Sequence, residues 1–263
     1  MPNEALSLIW SNRHALAAIV KNEIRQRYAG SFLGIAWLFL YPLFFLALYS
    51  GVYLLIFKIR VPEFSDWRYV LLVFSGLVPY LGFSESLQQG SRALTGNANL
   101  LKNTVFAPEL IPVKTVLASQ ATHAVSLAVL TLGVLASGHR PGLLWLLPVV
   151  FLAQIVLTQG IVWVLSALSV AVKDVPHVTG LAVLFLLFVS PVAFTPDMVP
   201  QRFQVFLHLN PLHYVIALYR AALFETAPFA FRDLLILAGM SLAAFAGGFY
   251  FFRKMKGVFL EYV

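Results

Sequence analysis

Uncharged apolar stretches alternate with short polar segments along the whole chain, and several approach or exceed the roughly 20 residues an α-helix needs to cross a bilayer. The first, 32–57, contains no charged side chain. The second, 69–90, is uncharged from Tyr69 to Ser84, and Ser86, Leu87, Gln88 and Gln89 are expected to extend it on a face buried in protein. The third, fourth and fifth fall at 111–137, 143–172 and 175–196, and the last at 234–252. The fourth is longer than one perpendicular crossing requires, so Pro148 is expected to mark its end or a kink. The pattern predicts an all-α polytopic membrane protein with six transmembrane helices.

Two segments follow a different pattern. In residues 1–31, Ile9, Leu16, Val20 and Ile24 share one side of a helical wheel, with Asn22, Arg25 and Gln26 on the other. Ser11-Asn12 stands where a cap would start a fresh helix at Arg13. This predicts an N-terminal amphipathic helix in the cytoplasmic interface, or more simply a basic flank of the first span. Residues 200–224 are apolar, but Asn210-Pro211 interrupts them, with His208, His213 and Arg220 nearby. Proline removes a backbone donor, and a broken helix exposed to lipid leaves polar groups unsatisfied. Two re-entrant half-helices on the outer side, between spans five and six, are expected.

Charge orients this topology. Arg13, Lys21, Arg25, Arg27, Arg92, Lys102, Lys114, Lys173, Arg253, Lys254 and Lys256 fall on one side of the membrane. The smaller set of Lys58, Arg60, Arg68, Arg140, Arg202, Arg220 and Arg232 falls on the other. The positive-inside rule then places both termini in the cytoplasm.

Composition narrows the class. Of 263 residues, 60% are hydrophobic and 11% charged, against about 25% charged in ordinary soluble domains. A soluble enzyme is excluded, and 1–263 reads as a single transmembrane domain. The charges in 1–31 exclude a signal-peptide core there, and the next apolar run is too long for one. With no cysteine, disulfides, iron–sulfur ligation and thiol catalysis are excluded. The net charge of +7 suits anionic lipid on the cytoplasmic side, and no basic soluble domain is present to bind nucleic acid.

The chemistry-bearing motifs are sparse. The chain has no Gly-Lys pair and hence no phosphate-cradling loop, so any ATP must bind elsewhere. The six histidines are scattered, and His208 and His213 are poorly spaced for a metal. No catalytic residue, metal or cofactor is expected in this chain. No acid lies in a span core, which disfavours ion coupling; Glu85 and Asp174 lie at cytoplasmic ends, and His123 reads as a hydrogen-bonded packing residue. Aromatics are abundant, with Trp 5, Tyr 10 and Phe 23. Trp37, Tyr41, Phe45, Tyr49 and Tyr53 recur every four residues through the first span, which keeps them on one slowly drifting face. Such a face suits sugar rings, whose C–H surfaces stack on aromatics, and it suits helix packing or lipid contact equally.

Arg25-Gln-Arg27-Tyr28-Ala-Gly-Ser31-Phe-Leu33-Gly34-Ile-Ala-Trp37 with Tyr41-Pro42 resembles the start of the first span in ABC-2-type polysaccharide exporter permeases. It is most similar to the lipopolysaccharide O-antigen branch, with teichoic-acid and capsule exporters related. Gly76-Leu-Val-Pro79-Tyr80, Ser190-Pro191 and Asn210-Pro211-Leu212 follow in the order that branch shows, so the resemblance covers essentially the whole chain.

The resemblance implies a permease in the bacterial inner membrane that pairs with a second copy of itself and with two ATP-binding cassette subunits, which bind the ATP and Mg. Between the two copies a polysaccharide on a polyprenyl pyrophosphate would pass outward. Trp37, Tyr41, Phe45, Tyr49 and Tyr53 would line its conduit. Arg25, Arg27 and Tyr28 would meet the pyrophosphate at the interface, or the arginines would act only as topogenic charge. The cytoplasmic connection 95–108 would dock on the ATPase through Asn99, Leu100, Leu101 and Phe106. The outer helices in 200–224 would form a gate with Phe203, Phe206, Leu207, Asn210, Pro211 and Tyr214. The alternatives are a membrane-embedded enzyme acting on lipid-linked sugars, for which no acid–base constellation is recognisable, and an ABC-2 exporter of a smaller lipid or drug.

Overall fold

The computed structural model describes residues 2–52, 66–97, 107–138, 141–192, 194, 196, 199–225 and 227–262. Among them every extended element is helical: α1 (Pro2–Ser11), α2 (Arg13–Arg27), α3 (Trp37–Gly51), α4 (Asp66–Ser91), α5 (Leu110–Ala136), α6 (Leu146–Ala171), α7 (Val175–Val189), α8 (Gln201–Leu209), α9 (Pro211–Leu223) and α10 (Phe231–Tyr262). Helices α5 and α6, with Tyr69–Ser91 of α4 and Phe231–Gly257 of α10, are long and apolar enough to cross a membrane; α3 and α7 hold shorter apolar runs.

The break between α1 and α2 forms by a route different from the expected cap. Ser11 Oγ and Asn12 Nδ2 donate back to the carbonyl of Leu8, at 3.1 and 2.9 Å. They close the end of α1, and Asn12 makes no side-chain bond to the start of α2. The amphipathic sides are as expected: Leu16 is buried, Ile9, Val20 and Ile24 are half-buried, and Asn22, Arg25 and Gln26 are exposed. The buried side of α2 lies on α5.

Past Arg27 the chain turns through Gly30 and Gly34, whose φ angles of 77° and 52° are unfavourable for residues with a Cβ. That turn delays the helix, so α3 starts at Trp37 rather than at Phe32. The α6 helix starts at Leu146, which puts Pro148 in its first turn, where proline breaks no interior hydrogen bond. The α7 helix stops at Val189 because Pro191 has no N–H with which to continue the ladder.

Helix α4 is the hub, packed against α3, α5, α6, α7 and α9. The α6–α10 crossing is the most extensive contact, and small residues allow it. A Cβ on Gly160 would come within 2.2 Å of the Ala244 backbone, and one on Gly248 within 2.0 Å of the Gly160 carbonyl oxygen. The backbones are therefore in direct contact there. Next to the crossing, Trp163 is fully buried with ring centroids 4.9 Å from Phe245 and 5.1 Å from Phe249. Its indole N–H donates to the Glu109 carbonyl at 3.0 Å, and the Glu109 carboxylate accepts from Lys256 at 2.9 Å.

One sequence expectation fails on α4. Ser86 and Leu87 are buried as anticipated, but Gln88 and Gln89 are exposed. Successive helical residues are about 100° apart, so Gln88 and Gln89 are rotated off the buried face, which resumes at Gly90 and Ser91.

Candidate functional site

The C-terminal end of α2 is held to the bundle by charge. Arg27 donates to the Glu85 carboxylate on α4 and, at 3.2 Å, to Ser119 Oγ on α5. Glu23, one turn back, lies 3.6 Å from Arg27 and forms an ion pair with Lys114 at 2.9 Å. Lys114 also donates to Asn97 at 2.9 Å, in the short 3₁₀ turn Thr95–Asn97. Positive and negative groups thus alternate along Lys114, Glu23, Arg27 and Glu85. A partly buried charge is tolerated when paired in this way, and the line ties α2 to α4, α5 and the connection between them.

Beside it opens a cavity of about 460 Å³ lined by Tyr28, Trp37, Tyr41, Leu81, Ser84, Glu85, Gln88, Gln89 and Thr122. The turn after α2 brings Tyr28 and Trp37 over the polar end of α4. Trp37 Nε1 donates to Ser31 Oγ at 3.0 Å, which orients the indole. Trp37 and Tyr41 remain 40% and 48% exposed. Next to Leu81 the helices pack closely: a Cβ on Gly82 would strike the His123 ring at 2.5 Å. His123 Nδ1 is paired with Gln120 Oε1 at 2.9 Å, in keeping with a packing role.

The other end of α4 carries a second assembly. The α9 helix starts at Pro211, and the Asn210 side chain caps it, its Oδ1 accepting from the Leu212 N–H at 3.0 Å. Asn210 Nδ2 donates to Ser190 Oγ at 2.8 Å. The Ser190–Pro191 break leaves carbonyls that Arg220 of α9 collects, at Val192 (3.0 Å) and Phe194 (3.3 Å), with Leu72 of α4 at 3.5 Å. Gly76 admits this strand of chain, since a Cβ there would lie 2.7 Å from the Val192 oxygen. Tyr80 donates its hydroxyl to the Val183 carbonyl at 3.0 Å. Three motifs far apart in sequence, around Gly76, Ser190 and Asn210, form one junction.

The expected site residues are distributed as follows. Arg25 is exposed, Arg27 is engaged by Glu85, and Tyr28 lines the cavity. Trp37 and Tyr41 line it too, while Phe45 packs against the main core, 4.8 Å from the Tyr41 ring. Tyr49 continues α3 without a described side chain, and Tyr53 lies outside the described residues, as do Asn99, Leu100, Leu101 and Phe106. Phe203 and Phe206 are exposed along an apolar groove of about 600 Å³ between α7 and α8. Leu207 and Tyr214 are buried, and the Tyr214 hydroxyl donates to the His208 carbonyl at 3.0 Å.

Sequence reasoning left Glu85, Gln88, Gln89 and Arg220 without roles. A single arginine in apolar α9 and a Gln-Gln pair ending an apolar run were the available signals. Among the described residues no cluster of metal-ligating side chains occurs.

Residues 14–224 match the family description "ABC-2 type transporter". The chain belongs to the ABC-2 type transporter family. It is 26% identical over 249 residues to the O-antigen export system permease protein RfbA of Klebsiella pneumoniae, covering 94% of this chain and 93% of that one. It is also 26% identical over 258 residues to the protein of the same name from Myxococcus xanthus, covering 96% of each. With relatives named as permeases along nearly its whole length, this ABC-2 chain is a transporter subunit and an integral membrane protein.

Proposed function

We propose that the chain is the membrane-spanning subunit of an ATP-driven exporter that moves a lipid-linked, O-antigen-like polysaccharide from the cytoplasm across the bacterial inner membrane. The observation that carries this reading is the cavity of aromatic rings and polar side chains, its one carboxylate paired with Arg27, opened in otherwise apolar helices. Hydrocarbon tails and ions gain little from such a lining, whereas a sugar uses both halves of it. The likeness to O-antigen export permeases supports the same substrate class.

In this reading six helices (α3, α4, α5, α6, α7 and α10) cross the membrane with both termini cytoplasmic. Two copies pair about a two-fold axis, and two ATP-binding cassette subunits bind ATP and Mg. The missing phosphate loop requires such partners, and segment 95–108 docks on them. The charge line from Lys114 to Glu85 connects that segment to the cavity. Arg25, exposed at the interface, is the free guanidinium for a polyprenyl pyrophosphate. Helices α8 and α9 dip back over the outer mouth and gate it.

The test is purification from cells that also express a partner ATPase, with export scored in a strain lacking this chain. The isolated chain should hydrolyse no ATP, should co-purify with the ATPase and should restore surface polysaccharide. Turnover of a lipid-linked sugar by the isolated chain would instead establish the enzyme alternative.

A further inference from the structure

We propose that the cavity beneath the α2–α3 turn is a saccharide subsite selective for an uncharged sugar ring. This rests on the export reading above and adds the ligand class. Gln88 and Gln89 are exposed on α4. An amide facing hydrocarbon is costly, and these two instead line the cavity. Each amide both donates and accepts, which matches neighbouring hydroxyls that do the same. The opposite wall supplies ring faces. Trp37 has its N–H occupied by Ser31 and its ring partly open, so its remaining capacity is stacking on sugar C–H bonds. Tyr41 presents a second, half-exposed ring.

Charge sets the selectivity. The one carboxylate lining the cavity, Glu85, is already paired with Arg27, so the wall carries no uncompensated charge. A sugar acid would bring its carboxylate against Glu85. An amino sugar would compete with Arg27 for the same oxygens. A neutral ring disturbs neither. The volume of about 460 Å³ falls within the roughly 300–1,000 Å³ of small-molecule sites. A partly open site of this kind binds weakly, as a polymer passing through requires.

The experiment uses the full chain with its ATPase in lipid nanodiscs, probed by saturation-transfer NMR with the methyl glycosides of a neutral hexose and of a hexuronic acid. The hexoside should bind in the millimolar range and the hexuronoside about fivefold more weakly. Replacing both glutamines (Gln88→Ala with Gln89→Ala) should weaken the hexoside by about fivefold or more, as loss of its hydrogen bonds dictates. Glu85→Gln removes the wall's carboxylate and leaves Lys114, Glu23 and Arg27 with one net positive charge beside the cavity, so it should reverse the preference in favour of the hexuronoside. Both glutamines are exposed, so their replacement leaves the packed core untouched; should that variant fail to assemble, the Glu85→Gln reversal decides. Equal binding of the two glycosides, unchanged by Glu85→Gln, would overturn the proposal. Export is measured in parallel. A wild-type chain that restores surface polysaccharide yet binds neither glycoside refutes the subsite and spares the exporter. One that binds the hexoside but exports no polysaccharide refutes the exporter and leaves the subsite.

Discussion

Asn210 makes two bonds with one side chain, capping α9 with its oxygen and holding Ser190 with its nitrogen. Asn210→Ala should lower stability by about 1–2 kcal/mol, the usual worth of a lost cap. Ser190→Ala should cost less, since it removes only the shared bond, and the double variant should be no worse than Asn210→Ala alone. Chemical unfolding in one fixed detergent checks all three. Arg27 and Glu85 form a second such pair, with partly exposed side chains. Arg27→Ala and Glu85→Ala should each destabilise. Their combination should fall short of the sum by about 0.5–3 kcal/mol, the coupling expected of groups in contact. A strictly additive double variant would mean the two charges act independently.

Between helices, the deciding feature is how closely backbones approach. At the α6–α10 crossing nothing larger than hydrogen fits at Gly160 or Gly248. Gly160→Val or Gly248→Val should therefore separate the two helices and disturb the neighbouring Trp163 cluster, with a large fall in melting temperature and a poor yield of folded chain. Gly180 in α7 and Gly239 in α10 have open space around them, so they serve as matched controls. Alanine there removes unfolded-state freedom from a helical site and should stabilise by about 0.4–1 kcal/mol. Melting temperatures of the four variants, read together, separate the effect of contact from that of propensity. If the valine variants melt like wild type, the crossing is looser than its geometry states.

For the exporter proposed above, the question is whether the α8–α9 pair moves. Phe206 on α8 is 60% exposed, and the chain has no native cysteine, so Phe206→Cys introduces a single thiol per copy. Cross-linking two copies through it should stop export, and reductant should restore it. Full export by the cross-linked pair would make α8 and α9 a static cap. A second expectation concerns the charge line between the α4–α5 connection and the cavity. Glu23→Gln removes its central carboxylate, which faces both Lys114 and Arg27. Export should fall more than ATP hydrolysis does, because assembly is retained while the mechanical link is weakened. Equal loss of the two activities would assign Glu23 a structural role instead.

How much of this was legible before folding depends on the range of each interaction. Helix content, the amphipathic α2 and the half-helices meeting at Asn210-Pro211 follow from local rules: periodicity, missing amide protons and the absence of charge over long runs. The apolar pattern alone carried the fifth span on to 196, whereas the helix stops at Val189, before Pro191. Tertiary structure alone decided which polar groups meet. Glu85 reads as a stray acid until α2 brings Arg27 to it across 58 residues of sequence. Gln88 and Gln89 were assigned to a buried face, yet they are exposed to a cavity that the turn through Gly30 and Gly34 covers with Tyr28 and Trp37. Arg220 finds its carbonyls only because a proline 29 residues earlier ends α7 beneath it. Local propensity acts over one helical turn, whereas a buried charge must find its partner wherever the packed helices place one.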